Sequence, residues 1–218
     1  MKLPNAAKGI SKIFTAEILS IIGVIVIGIS SIVIILSAGN IDYKTALESP
    51  TGGVLIGLII AIIAGITVLA SAILSIVGIF QAGKDERSFK IALYLMIADV
   101  VLTIVIGIIA NAMGIKDLGS SISSVIELFV TIYVIKGIVG LANTLNNPEI
   151  ANKGTSYIKS LVAVFIAEII TRFISTFTQN QIAQNISLTL TIIIVIISLA
   201  KYFIYLSLLS KTKKMLAE

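Results

Sequence analysis

The sequence of 218 residues contains no cysteine, no histidine and no tryptophan. Without cysteine no disulfide can form, so the redox compartment cannot be inferred. The absence of histidine and cysteine also excludes the common zinc sites and cysteine nucleophiles. An H-E-x-x-H motif, a G-x-S-x-G elbow and a Walker phosphate loop are missing as well. The sequence therefore predicts a protein that is not an enzyme and that carries no cofactor or metal.

Charge is also scarce, since only 12% of residues are charged and 57% are hydrophobic. A soluble domain carries about 25% charged residues. Apolar runs of about 20 residues are long enough to cross a bilayer as a helix. Six runs approach or exceed this length: Ile13–Ala38, Gly53–Phe80, Ile91–Ala110, Ile122–Leu141, Ser160–Phe177 and Ile186–Leu209. The prediction is an all-α fold, a polytopic membrane bundle of six transmembrane helices, the first of which is retained because it is too long for a signal peptide.

The positions of the basic residues predict the orientation. Eleven of them precede the first run or lie in the second connection, the fourth connection or the tail. These are Lys2, Lys8, Lys12, Lys84, Arg87, Lys90, Lys153, Lys159, Lys211, Lys213 and Lys214. The other connections hold only Lys44 and Lys116. The bias places both termini in the cytoplasm of a cell-membrane protein. It also accounts for the net charge of +5, so nucleic acid is not an expected partner.

A short pattern, K-x5-K-x7-A-[D/E], occurs three times and each time opens an odd-numbered run. The copies are Lys2, Lys8, Ala16 and Glu17; Lys84, Lys90, Ala98 and Asp99; and Lys153, Lys159, Ala167 and Glu168. Acids inside membranes are rare, so the repetition indicates a triplicated hairpin. The sequence therefore predicts one transmembrane domain, residues 1–218, with repeats at 1–81, 82–150 and 151–218. Parallel repeats of this kind predict a pseudo-threefold bundle.

The repeats also predict a charged layer. Glu17, Asp99 and Glu168 each follow the second lysine of their copy by nine residues, or roughly 13 Å of helix. Counted from the ends of their own runs, Lys136 and Lys201 reach a similar depth, roughly 10–15 Å. Opposite charges at one depth predict direct ion pairs, because an isolated charge in lipid is unfavourable. These five residues are the candidate substrate- or ion-binding groups.

Two further charges are secondary candidates. Glu127 and Arg172 fall roughly 20–24 Å from the inner surface and are expected to pair with each other, with Arg172–Glu168 as the alternative pair. Separately, Gly53, Gly57, Ala61 and Gly65 recur every four residues. This spacing is typical of helix packing in membranes, either within the chain or in a homodimer.

Two functional interpretations stay open. In the first, the charged layer handles a small solute or ion, as in a transporter or a membrane solute-binding component. In the second, the protein is a non-catalytic accessory, assembly or immunity-type subunit, and the layer is a structural lock between helices. The expected partners are the lipid bilayer and, in the second interpretation, another membrane subunit. The sequence does not identify a substrate.

Overall fold

The computed structural model describes residues 3–38, 51–113, 118–177 and 181–217, which form six α-helices and no strands. In chain order these are α1 (Pro4–Ala38), α2 (Gly52–Ala82), α3 (Arg87–Met113), α4 (Leu118–Thr144), α5 (Pro148–Phe177) and α6 (Gln181–Met215). All six contain a stretch long and apolar enough to cross a membrane. The predicted all-helical class and the six apolar helices are confirmed, and they indicate a multi-pass membrane protein.

Several helices extend beyond the predicted apolar runs. α1 begins at Pro4 and not at Ile13, and α5 begins at Pro148 and not at Ser160. The runs are shorter than the helices because hydropathy marks the part of a helix that suits lipid, whereas the end of a helix is set by its caps. The added turns carry lysines, including Lys8 and Lys153, which therefore lie on helices and not in loops.

The turn between α4 and α5 shows how local sequence ends one helix and starts the next. Asn146 adopts a positive φ of 53°, a conformation that asparagine tolerates better than most residues. The Asn147 N–H donates to the carbonyl of Ala142 at 2.8 Å, closing a Schellman-type end on α4. The Asn147 side-chain oxygen then accepts from the Ile150 N–H at 3.1 Å and caps α5. Pro148 occupies the first helical position, where a missing N–H is harmless.

The described chain divides into two compact units, one of Met1–Ile10 with Ile79–Glu218 and one of Ser11–Gly78. In the second unit, α1 and α2 run antiparallel and approach closely at glycines. A Cβ added at Gly57 would lie 2.5 Å from Ile34 Cγ1, and one at Gly23 would lie 2.6 Å from Val68 Cγ2. Small residues let the backbones approach in this way. The predicted threefold repeat stays a prediction.

In the first unit, the tightest packing lies near the turns that join α2 to α3 and α4 to α5. Fully buried side chains there include Phe89, Ile135, Ile138, Leu141 and Leu209. α3 packs on α4, α4 on α5 and α5 on α6. The middle portions of the same helices expose many isoleucines and valines, as expected for surfaces that face acyl chains.

The start of α1 is held by a side chain from the connection between α2 and α3. Leu3 is the N-cap residue of α1 by its backbone hydrogen bond to Ala7, and leucine has no side-chain acceptor for the first turn. Asp85 supplies the acceptor instead: its Oδ2 accepts from the Ala6 N–H at 2.8 Å, and its Oδ1 accepts from Asn5 Nδ2 at 3.0 Å. A carboxylate also suits the positive end of the helix dipole.

Replacing Asp85 with alanine is expected to lower the free energy of unfolding in detergent by about 1 kcal/mol, because the first turn of α1 loses its cap. Chemical unfolding followed by circular dichroism measures the change. Adding Leu3→Ser to the Asp85→Ala variant should recover most of the loss, since serine caps the helix locally. A loss that Leu3→Ser leaves untouched would contradict the capping role.

Candidate functional site

Contacts between neighbouring helices fix the level of each charged residue in the first unit. In the α3–α4 pair, Gly137 faces Phe89 and Gly140 faces Glu86. Further along, Ser123 faces Asp99. In the α5–α6 pair, Glu149 meets Lys211, Gly154 faces Leu208, and Tyr157 stacks on Tyr205. Both pairs are antiparallel with a nearly constant register.

This register separates the two lysines from the acids that they were expected to meet. Lys136 lies roughly level with Lys90, and Lys201 lies roughly level with residue 160, so each is about eight or nine residues, or roughly 12 Å, from the level of its acid. The prediction counted each lysine from the end of its own apolar run, although the helices extend past those ends by different amounts. A lysine side chain does not bridge that distance.

Lys136 accordingly has no acidic partner within the described residues. Its side chain is exposed, and its ammonium nitrogen lies 5.3 Å from the ring centroid of Tyr133, one turn earlier on the same helix. This is a cation–π contact within α4. In the described part of the chain, Lys136 does not contribute to an ion pair between helices.

Asp99 lies half-buried on α3 and is hydrogen-bonded to the neighbouring helix α4. Its Oδ2 accepts a hydrogen bond from the Ser123 hydroxyl of α4 at 3.1 Å. Its Oδ1 is buried and has no hydrogen-bond donor among the described residues. Glu127, one turn along α4 from Ser123, lies on the same face of that helix, and its side chain is exposed. Thr103, the next polar residue on the same face of α3, is exposed, so this polar face turns inward only at Asp99.

Lys201 is the most buried lysine within the described ranges, with 7% of its surface exposed. Its ammonium nitrogen has no hydrogen-bond acceptor there and lies 5.7 Å from the ring centroid of Tyr157. Tyr157 in turn stacks on Tyr205 at a centroid distance of 6.1 Å. No ion pair joins Lys201 to Glu168 in the described part of the structure.

A third cluster was not predicted. Glu149 Oε1 accepts from Lys153 Nζ at 2.6 Å and from Lys211 Nζ at 3.0 Å, tying the start of α5 to the end of α6. These residues precede Ser160 or follow Leu209, outside the apolar runs. The hydrogen bonds and charges of the two lysines lower the pKa of the exposed Glu149 carboxyl to about 2. The i, i+4 spacing of Glu149 and Lys153 is a readable signal in the sequence, but it lies before the start of the apolar run.

The remaining candidates stand as follows. Glu17 belongs to the unit Ser11–Gly78 and Asp99 and Glu168 to the other, so a common level for all three stays a prediction. The side chain of Arg172 lies outside the described residues, as does its expected pairing with Glu127 or Glu168. Gly53 closely approaches Ser37, as Gly57 does Ile34.

The other two members of the small-residue stripe differ from these glycines. Nothing lies within 4 Å of a Cβ placed at Gly65. Ala61 is partly exposed, whereas the neighbouring Ala64 is buried. The close approach of α2 to α1 is therefore carried by the first two glycines of the stripe.

The acids and hydroxyls on α3 and α4 supply oxygen ligands. Asp99 and Ser123 place oxygen atoms at hydrogen-bond distance, and Glu127 adds a carboxyl group one turn along α4. Oxygen groups of this kind suit a small cation or a proton. No group of three or more His, Cys, Asp or Glu side chains in the described ranges could hold a metal ion.

Comparisons with protein-family models, with curated proteins and with solved structures find no match to this chain.

Proposed function

We propose that the protein is a membrane transport or solute-binding component that takes a small cation or a proton at Asp99 and Glu127. The observation that carries the proposal is the half-buried carboxylate of Asp99 on an apolar helix, with a buried oxygen that has no donor in the described structure, and with Glu127 one turn along α4 from its Ser123 partner. Two carboxylates at such a site are unfavourable unless a proton or a cation neutralises one of them.

The surroundings of the pair support the same proposal. Ser123 donates to one oxygen of Asp99 and leaves the other oxygen for a ligand. Neither Asp99 nor Glu127 forms an ion pair with a lysine in the described part of the chain, and Lys136 lies too far along α4. A carboxylate that has no permanent cationic partner in the protein is able to bind and release a mobile cation or proton.

The other acids and the orientation of the chain in the membrane are assigned in the same way. Glu17 and Glu168 share the repeated spacing with Asp99. We propose that they bind the same solute at other points of its path. Both termini are proposed to lie in the cytoplasm, on the distribution of basic residues. We propose no catalytic activity, because the residue types for common nucleophilic and zinc chemistry are absent.

Ion flux into proteoliposomes tests the proposal. The purified protein is reconstituted and assayed for Na⁺, K⁺ and methylammonium uptake and, with an entrapped pH dye, for proton movement. We expect flux of at least one of these above that of protein-free vesicles, and loss of that flux in Glu17→Gln, Asp99→Asn and Glu168→Gln. No flux of any probe, with the protein folded in the vesicles, would argue against the proposal.

The second candidate is an accessory membrane subunit in which the charges fasten helices together. The observation that favours it is the contact of Lys201 on α6 with Tyr157 on α5, since a buried cation over an aromatic ring can join two helices. In this case another membrane protein would dock on the exposed helix faces, and the acids would have no solute.

Lys201→Met separates the two candidates by thermal stability. A buried ammonium without a hydrogen-bond acceptor carries a desolvation penalty, and methionine has similar length without the charge. We expect the melting temperature in detergent to rise in Lys201→Met and to stay unchanged in Lys136→Met, where the lysine is exposed. A fall confined to Lys201→Met would instead identify Lys201 as a structural lock.

A further inference from the structure

A groove of about 580 Å³ lies between α5 and α6, beside the Glu149 cluster. One end is polar and is lined by Lys153 and Lys211. The other end is apolar and includes Phe203 and Ile204, which are 60% and 56% exposed. The groove therefore runs from two cations onto a helix surface of the kind that faces acyl chains.

We infer that this groove binds an anionic phospholipid, with the phosphate at the two lysines and an acyl chain along Phe203 and Ile204. Glu149 neutralises one of the two lysine charges, so the cluster keeps a net charge of +1 from these three groups. Each ammonium has three N–H donors and uses one on Glu149. The remaining donors are free to hold phosphate oxygens.

Serine hydroxyls extend the polar end of the groove. Ser156 on α5 and Ser207 on α6 line this end, whereas Ser160 lies near the level of Phe203 and donates its hydroxyl to the Tyr157 carbonyl at 2.9 Å. Hydroxyls can both donate to a phosphate and accept from the glycerol of a headgroup. A zwitterionic headgroup would place its own cation beside the two lysines, whereas an anionic one has no such group.

The apolar and basic residues of the groove favour a lipid over a soluble anion. Phe203 and Ile204 gain little from inorganic phosphate, but they bury apolar surface against an acyl chain. Lysines near a membrane surface attract anionic lipids by about 1 kcal/mol each. Glu149 holds Lys153 and Lys211 in place, so the two charges lie close together at the edge of the groove.

Native mass spectrometry of the purified full-length protein tests the inference, with phosphatidylglycerol, phosphatidylcholine and glycerol 3-phosphate as probes. Wild-type protein should retain phosphatidylglycerol in preference to the other two. The pair Lys153→Gln/Lys211→Gln should weaken phosphatidylglycerol binding roughly 30-fold. The matched pair Lys213→Gln/Lys214→Gln removes the same charge from exposed positions in the last turn of α6 and should leave binding unchanged.

A second variant tests the groove if the Lys153→Gln/Lys211→Gln protein does not fold. Ser207→Phe retains both lysines and Glu149 but fills the groove, so it should also release phosphatidylglycerol. Equal weakening by the matched pair would show attraction to overall charge, and equal binding of phosphatidylcholine would show a groove without charge preference. Glycerol 3-phosphate bound as tightly as the lipid would show a free-anion site. Each of these three results overturns the inference.

Discussion

Replacing Asp99 with asparagine is expected to reduce flux of the transported ion roughly 100-fold, because a charged ligand worth about 3 kcal/mol is replaced by a neutral one of the same shape. The amide oxygen of the new side chain still accepts from Ser123, so the hydrogen bond between α3 and α4 survives. Initial rates of uptake in proteoliposomes, normalised to the amount of folded protein, give the result. The fold should be intact, since no ion pair is broken among the described residues.

Asp85→Asn is the matched control for Asp99→Asn. It makes the same chemical change at a carboxylate that caps α1 outside the apolar runs, and it should leave the flux unchanged. Equal flux in wild type and Asp99→Asn would contradict the assignment of Asp99. A loss of flux that is equal in both variants would point to a general effect of lowered stability.

Replacing Gly137 with alanine is expected to lower the free energy of unfolding by about 1–3 kcal/mol, the range for an overpacked core. A Cβ at Gly137 would lie 2.6 Å from Cζ and 2.7 Å from Cδ2 of the Phe89 ring. Phe89 is fully buried, so the ring has little space into which to move. Unfolding in detergent, followed by circular dichroism, measures the loss.

Gly107→Ala provides the control for the change at Gly137. Nothing lies within 4 Å of a Cβ at Gly107, so alanine adds no collision there. Alanine also suits a helix better than glycine by about 1 kcal/mol. We expect Gly107→Ala to be neutral or slightly stabilising. Comparable losses in the two variants would mean that glycine matters for helix flexibility and not for the contact with Phe89.

The apolar helices were predictable because backbone N–H and C=O groups without hydrogen bonds are unfavourable in lipid, and a helix satisfies them within the same segment. The turn at Asn146, Asn147 and Pro148 was also readable in principle, since each residue suits its position for a local reason. The helix starts at Pro4 and Pro148 could not be found from hydropathy, because polar turns continue a helix without any apolar signal.

The levels of the charged groups could not be predicted in the same way. Depth counted along one helix places Lys201 beside Glu168, but the register between α5 and α6 is set by packing at Gly154 and Leu208 and by the bridge from Glu149 to Lys211. That bridge joins residues 62 positions apart in the chain. A small shift of register moves a side chain several ångströms along its neighbour, which is enough to break an expected ion pair.

Infrared difference spectroscopy of the reconstituted protein tests whether the Asp99 carboxyl group binds the transported ion. The spectrum is recorded while the medium is switched between high and low concentrations of the transported cation, or between two pH values if protons are carried. We expect a change in the carboxyl stretching band that disappears in Asp99→Asn and persists in Asp85→Asn. A carboxyl band that does not respond to cation or pH, or that responds equally in Asp99→Asn, would contradict this expectation.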